Sequence, residues 1–393
     1  MNKYKKAFLI DWKRYIVIMF SVVVIIGILL FQLGRLTGQA NKAEVSVYKT
    51  NVSYRETVRN PINAPYYVVR NSIQKLIKPQ NIVVPRFTSV LFAALVLFAF
   101  FSVLSLWYET RMLVLGTLLF ASSSWFLHIA RIGLPVSMQS LGIILVLLSA
   151  WLHQTKKLKL ATLCMILSIG FLVYIPGMIW LILAAILWKG KALKKDFSGI
   201  SKKFILFCIC LISIIVTPLL WAVFKNPSVL FELTGFPNTL NIQYLLSNLY
   251  NIPLQIFIRA TPNSISNIGN LPLLDVFTTA MFVIGVYATM KTRKLDRSKL
   301  TFGLLFIGIL FSTLVDSPLL PMMIVPVYLF AVSGVSFMLD EWFTVFPRNP
   351  LAKGIATTLI SILVLSVAYY HITSYFIAWP NNTDTKSSFS ERI

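Results

Sequence analysis

The chain has 393 residues, 57% of them hydrophobic and only 12% charged. An average soluble domain carries roughly 25% charged residues. Mean hydropathy here is +0.77, so a soluble cytosolic enzyme and a disordered chain are both excluded. Lysine and arginine total 36 against 13 acidic residues, a net charge of +23. In a soluble protein that surplus would point to nucleic acid. Here the question is where the charges lie relative to the apolar runs.

A helix crosses about 30 Å of hydrocarbon with about 20 apolar residues. By that measure about eleven segments qualify: 15–34, 87–107, 112–128, 134–152, 160–174, 176–188, 204–224, 271–290, 300–315, 319–339 and 355–377. The expected fold is an all-α polytopic membrane bundle over residues 1–377 with a polar tail at 378–393. The pair 160–174 and 176–188 meets at Tyr174-Ile175-Pro176-Gly177. That break reads either as a tight hairpin or as one broken helix. The first segment is longer than a signal-peptide core and reads as an uncleaved signal anchor.

Basic residues set the orientation. They cluster at Lys3, Lys5, Lys6, Lys13 and Arg14, at Lys156, Lys157 and Lys159, within 189–203, and within 291–299. Alternating spans put these clusters on one side, which the positive-inside rule makes cytoplasmic. The expectation is an integral protein of the plasma (inner) membrane, N-terminus inside and C-terminus outside. Most of the charge is then topology, and no nucleic-acid partner is expected. Cys164, Cys208 and Cys210 lie inside apolar runs and suggest neither disulfides nor a zinc site. His153 and His371 stand alone in the sequence, and no metal is expected. No Walker loop or Gly-x-Gly-x-x-Gly element occurs, and no cofactor is expected.

Two exterior connections, 35–86 and 225–270, are too long to be turns and are the natural place for function. The first holds nine basic residues (Arg35, Lys42, Lys49, Arg55, Arg59, Arg70, Lys75, Lys78 and Arg86) against two acids, Glu44 and Glu56. Such a loop suits an anionic ligand such as a lipid phosphate, or nonspecific contact with headgroups. Asn63-Ala64-Pro65 reads as a helix start. Tyr66, Val69, Ile73, Leu76 and Ile77 then share one face, and Arg70, Asn71, Gln74, Lys75 and Lys78 the other. An amphipathic helix over about 65–78, lying in the interface plane against membrane lipids, is predicted. Each acid reads as a general base near the membrane surface or as a surface acid paired with a neighbouring cation. In 225–270, Leu245, Leu246, Leu249, Ile252 and Ile256 suggest a second interfacial helix, interrupted by Pro253 and ending near Arg259. Asp275 and Asp316 stand near the exterior ends of later spans, where an acid is either functional or merely interfacial.

The run from Ser122 to Pro135 places His128 and Arg131 three residues apart, on one face if helical. Arg131 suits a phosphate in fork geometry. The alternative is that Arg131 pairs with a loop carboxylate and His128 packs.

The order of these features resembles a known family. A first span leads to a long outer loop with Asn60-Pro61-Ile62-Asn63-Ala64-Pro65-Tyr66-Tyr67, then Arg86 enters the second span. Ser123-Ser124-Trp125-Phe126-Leu127-His128-Ile129-Ala130-Arg131 follows, and Val173-Tyr174-Ile175-Pro176-Gly177-Met178 stands between two short spans. Over roughly residues 10–340 this layout is similar to the GT-C superfamily of polytopic membrane glycosyltransferases. It is closest to the bacterial proteins like protein O-mannosyltransferases and aminoarabinose transferases (glycosyltransferase family 39). The resemblance implies a polyprenyl-phosphate-linked sugar donor and transfer to a glycan, lipid or protein acceptor on the outer face. It implies Glu44 as base, with Glu56 the second choice. Arg131, Arg86 or Arg259 would hold the phosphate, with His128, Asn60, Tyr66 and Tyr67 beside the substrate. The chain departs from the family's pattern in having no adjacent acids in the first loop. Pro135-Val136-Ser137 stands where relatives commonly carry an acid, and Asp316-Ser317-Pro318 where many carry a base. A noncatalytic lipid- or glycan-binding protein of the same fold is therefore a second reading. A secondary transporter, the third, calls for paired broken helices and internal symmetry, and one Pro-Gly break does not supply them.

Overall fold

The computed structural model describes residues 19, 23–77, 82–154, 158–187, 199–236, 241–260, 265–315 and 319–391. Among them all regular structure is helical, with one isolated antiparallel bridge between Ala40 and Glu391. Lys78, Asp316, residues 1–18 and most of the basic clusters at 156–159 and 189–203 lie outside the described residues.

The first helix, α1, covers 23–30. Three helices then fold the first long connection: α2 (Lys42–Lys49), α3 (Tyr54–Arg59) and α4 (Ala64–Ile77). Next come α5 (Val83–Trp107), α6 (Thr110–Ser122), α7 (Ser124–Arg131), α8 (Ser137–Gln154) and α9 (Leu158–Leu172). A turn over 173–177 leads to α10 (Met178–Leu187). The second half holds α11 (Lys202–Lys225), α12 (Ser228–Thr234), α13 (Ile242–Phe257), α14 (Val276–Lys291), α15 (Asp296–Leu314), α16 (Ile324–Val345) and α17 (Pro350–Thr373). A π-helical turn, Ser374–Ala378, leads into α18 (Trp379–Asn381) and α19 (Thr383–Ser388).

Five stretches are long and apolar enough to cross a membrane: α5, α11, α15, α16 and Pro350–Asn381. The pair α6 and α7 makes a sixth, bent by 63°. The bend falls in Ser122-Ser123-Ser124, where the Ser123 hydroxyl accepts the Phe126 N–H at 3.0 Å and starts a new helix. The segment expected as one span over 112–128 is therefore two helices. Shorter apolar helices are Ser137–Leu152, α9, α10 and α14. The outward surface is apolar: Phe98, Leu206, Ile214, Phe224, Val283 and Phe306 are all more than 60% exposed. Water does not tolerate a surface like that over a whole bundle, whereas lipid does.

α16 is the centre, with every side chain from Ile324 to Val332 buried. α14 lies directly against it. A Cβ on Gly285 would sit 1.8 Å from the Phe330 carbonyl oxygen, and one on Gly334 2.0 Å from that of Met281. The two backbones touch, which is how small residues bind membrane helices together.

The amphipathic helix is present as α4, but its polar face does not look outward as expected. Arg70 and Asn71 are buried, while Leu76 is 84% exposed. Arg70 donates to the carbonyls of Val47 and Asn51 at 2.5 and 2.7 Å, and Asn71 donates to Asn51 at 3.0 Å. The irregular chain around Asn51 leaves carbonyls inside the protein, and these two side chains satisfy them. α4 is thus a strut between the loop and the bundle. The second long connection contains the expected helix as α13, but Pro253 does not interrupt it: the helix runs on through the proline to Phe257.

Candidate functional site

The first-loop acids have opposite fates. Glu44 sits in the first turn of α2, where Asn41 caps the helix. Asn41 Oδ1 accepts the Glu44 N–H at 2.8 Å, and Glu44 Oε2 accepts the Asn41 N–H at 3.2 Å. This reciprocal capping box fixes the side chain at its root. The carboxylate is buried and receives Arg86 in a fork, Nε on Oε1 and Nη2 on Oε2, both at 2.9 Å. The Gly133 N–H adds a fourth bond, to Oε1 at 2.8 Å. Glu44 therefore ties α2, the start of α5 and the end of α7 into one corner. Glu56 instead is exposed and accepts the Val52 N–H at 2.9 Å, a local turn contact.

Arg86 is fully engaged. Besides Glu44 it donates to the carbonyls of Leu33 and Gln39 and to the Thr37 hydroxyl. Arg131, the last residue of α7, is not. Its Nη2 donates to the Phe31 carbonyl. Its guanidinium centre lies 5.2 Å from the Tyr375 ring and 4.6 Å from that of Phe376, in cation–π contact. Nε and Nη1 are buried with no hydrogen-bond partner among the described residues. The π-helical turn after α17 is what carries both aromatic rings onto Arg131.

Glu44, Arg86, His128 and Arg131 line one small cavity of about 20 Å³, closed by Tyr375, Trp379 and Phe389. That is room for about one water. Two guanidiniums against one carboxylate leave the pocket with a surplus positive charge. A buried charge without a partner costs several kcal/mol, and an anion would relieve it. Arg86 is in the first turn of α5 while Trp107 ends that helix, about 30 Å away by helix rise, so the pocket lies at one end of the bundle. His128 packs edge-on against Tyr375 and Trp379, 4.7 Å from each ring. It also borders a second cavity of about 520 Å³, shared with Ser124, Asp275 and His371.

The other expected site residues are not in the small cavity. Tyr66 is buried under α5, donating to the Pro85 carbonyl at 2.8 Å. Tyr67 is buried with Arg70 over its ring at 4.8 Å. Asn60 is exposed at the end of α3, and Arg259 is exposed just past α13. Both face away because the elements that carry them end at the surface. His371 is not isolated: it bonds Ser124 and Asp275. The meeting of those three, and the placing of the Tyr375, Phe376 and Trp379 rings, is what sequence reasoning missed. The charge rule for membrane segments flagged Asp275, but no spacing links it to His371, 96 positions away. Among the described residues, no three His, Cys, Asp or Glu side chains gather as a metal site.

Fold and site together define a helical membrane protein with a buried, cation-rich pocket at one end of its bundle. The sequence matches no protein-family model, and a search of curated proteins finds no match.

Proposed function

We propose that the protein is a membrane glycosyltransferase that moves a sugar from a polyprenyl-phosphate donor to an acceptor on the outer face. The five long helices, the bent pair, the four shorter apolar helices and the first segment together account for eleven spans in this reading. Eleven spans leave the N-terminus inside, the C-terminus outside and the pocket at the outer face of the plasma membrane.

The observation that carries the proposal is the pair of unpartnered Arg131 nitrogens beside Glu44. They are buried donors on different edges of the guanidinium with no acceptor among the described residues, and the oxygens of a phosphate would supply one. In the reaction, the acceptor oxygen attacks the sugar carbon and the bond to the phosphate oxygen breaks. Arg131 stabilises the charge that develops on the departing phosphate. Glu44 takes the acceptor's proton through Oε2, whose bond to the Asn41 N–H, at 3.2 Å, is the longest of its four. The cavity is too small for a sugar phosphate, so entry requires Tyr375, Trp379 and Phe389 to swing aside. They belong to the segment pinned by the paired 3.0 Å bonds between Ala40 and Glu391.

One observation favours the noncatalytic lipid-phosphate binder as a second reading: all four acceptor positions of Glu44 are filled by protein donors. A transfer assay with polyprenyl-phosphate sugars separates the two. The transferase reading expects activity in the wild type and its loss in Glu44→Gln and Arg131→Met. Undiminished transfer by Glu44→Gln would remove it as base. Binding of polyprenyl phosphate without any transfer would support the second reading.

A further inference from the structure

The larger cavity carries chemistry of its own. Ser124 Oγ lies 3.0 Å from His371 Nδ1, and His371 Nε2 lies 3.0 Å from Asp275 Oδ2. A carboxylate only accepts, so Nε2 carries the proton it donates to Asp275, and Nδ1 is left to accept from the serine hydroxyl. Asp275 is itself held: it caps α14, with Oδ1 accepting the Thr278 N–H at 2.9 Å and Oδ2 the Thr278 hydroxyl. His371 is 2% and the Asp275 side chain 10% exposed, so the chain of bonds is shielded. Three helices far apart in sequence, α7, α14 and α17, supply one member each.

We infer that Ser124, His371 and Asp275 form a nucleophilic triad whose substrate is an acyl ester of a lipid entering from the bilayer. The triad has the roles such sites need: a hydroxyl, a base in contact with it, and an acid that orients the base. The cavity, about 520 Å³, falls in the range of ligand pockets. Leu271, Val276, Leu363 and Tyr370, all more than 40% exposed, stand at its mouth, so it opens on the apolar outer surface. Ser124 is the first residue of α7. The backbone N–H of Ser124 therefore has no intrahelical acceptor and, on a residue that lines the cavity, is a donor for an oxyanion.

In the first step, Ser124 Oγ attacks the ester carbonyl carbon and its proton passes to His371 Nδ1. The ester C–O bond breaks, and its electron pair leaves on the alcohol oxygen, which takes the proton from His371. The acyl group stays on Ser124. Water, or another hydroxyl, then repeats the sequence in reverse and releases the acyl chain. None of this depends on sugar transfer or on the Arg131 pocket.

The test is covalent labelling of the purified full-length protein, in detergent, with a fluorescent long-chain alkyl fluorophosphonate. The wild type is expected to carry one adduct, mapped to Ser124 by mass spectrometry, and Ser124→Ala none. His371→Gln is expected to label about 100-fold more slowly or less, the weight of a general base. Asp275→Asn keeps a good helix cap, so the fold is retained, and it too is expected to label slowly. The absence of a Ser124 adduct in monodisperse wild type would overturn the proposal. So would wild-type labelling rates in both His371→Gln and Asp275→Asn, because a purely structural hydrogen-bond chain confers no reactivity.

Discussion

Arg86 grips Glu44 with two nitrogens, both at 2.9 Å, across 42 positions of sequence and with both side chains buried. Removing one partner strands the other's charge inside the protein, which costs about 3–5 kcal/mol. Glu44→Ala is expected to lower the unfolding temperature in detergent sharply. The double variant Glu44→Ala/Arg86→Met should recover part of that loss, because the stranded guanidinium leaves with its partner. A double variant less stable than Glu44→Ala would show that Arg86 matters through its carbonyl contacts instead.

Arg131 predicts the opposite sign. Among the described residues its guanidinium has one protein acceptor and two nitrogens without one. Arg131→Met keeps the apolar stem and removes an unpaired buried charge, so thermal stability should hold or rise. Affinity for polyprenyl phosphate should fall about tenfold or more, the worth of a charge-assisted bond at about 1.5–3 kcal/mol. Thermal unfolding and a titration with the lipid phosphate read both. If the variant melts as early as Glu44→Ala, Arg131 is a strut and not an anion site.

Tyr66 ties α4 to α5 through Pro85, and burial pushes its phenol above the ordinary value of 10.0. The folded chain thus holds this proton more tightly than the unfolded chain. Its contribution is complete below about pH 10 and declines as the pH rises beyond the ordinary phenol range. Tyr66→Phe should cost about 1–3 kcal/mol at neutral pH, since it leaves a buried carbonyl short of a donor. It should also flatten the alkaline loss of stability. Unfolding curves for the two proteins at neutral and strongly alkaline pH would decide it.

Gly285 predicts a packing failure. Even the one carbon of Gly285→Ala meets the Phe330 carbonyl at 1.8 Å. Backbone cannot step aside as a side chain can, so the loss should match or exceed the usual 1–3 kcal/mol of overpacking, roughly. Gly354→Ala is the control, because nothing lies within 4 Å of its Cβ. In that helix interior alanine should be neutral or better by about 0.5–1 kcal/mol. Equal stability of the two alanine variants, by thermal melt or yield of folded protein, would contradict the close contact.

Composition and hydropathy by themselves determined that the chain is helical and made for lipid, because burying backbone polar groups in hydrocarbon leaves few other choices. The pattern around Asn63 and Pro65 located α4 to within a residue or two, since helix starts are written in local residue types. The same pattern misjudged Arg70 and Asn71. Periodicity tells which residues share a face, but not whether the other side of that face is water or a carbonyl awaiting a donor. Glu44, Arg86 and Arg131 were legible as candidates because charges near a membrane are costly and few. That Glu44 is saturated, that Arg131 is not, and that Ser124 meets His371 are facts of tertiary structure alone. They depend on which helix ends converge, and residues 247 apart carry no local mark of one another. The charge surplus announced a topology, and only the packed chain decided that Arg131 keeps two buried nitrogens without an acceptor among the described residues.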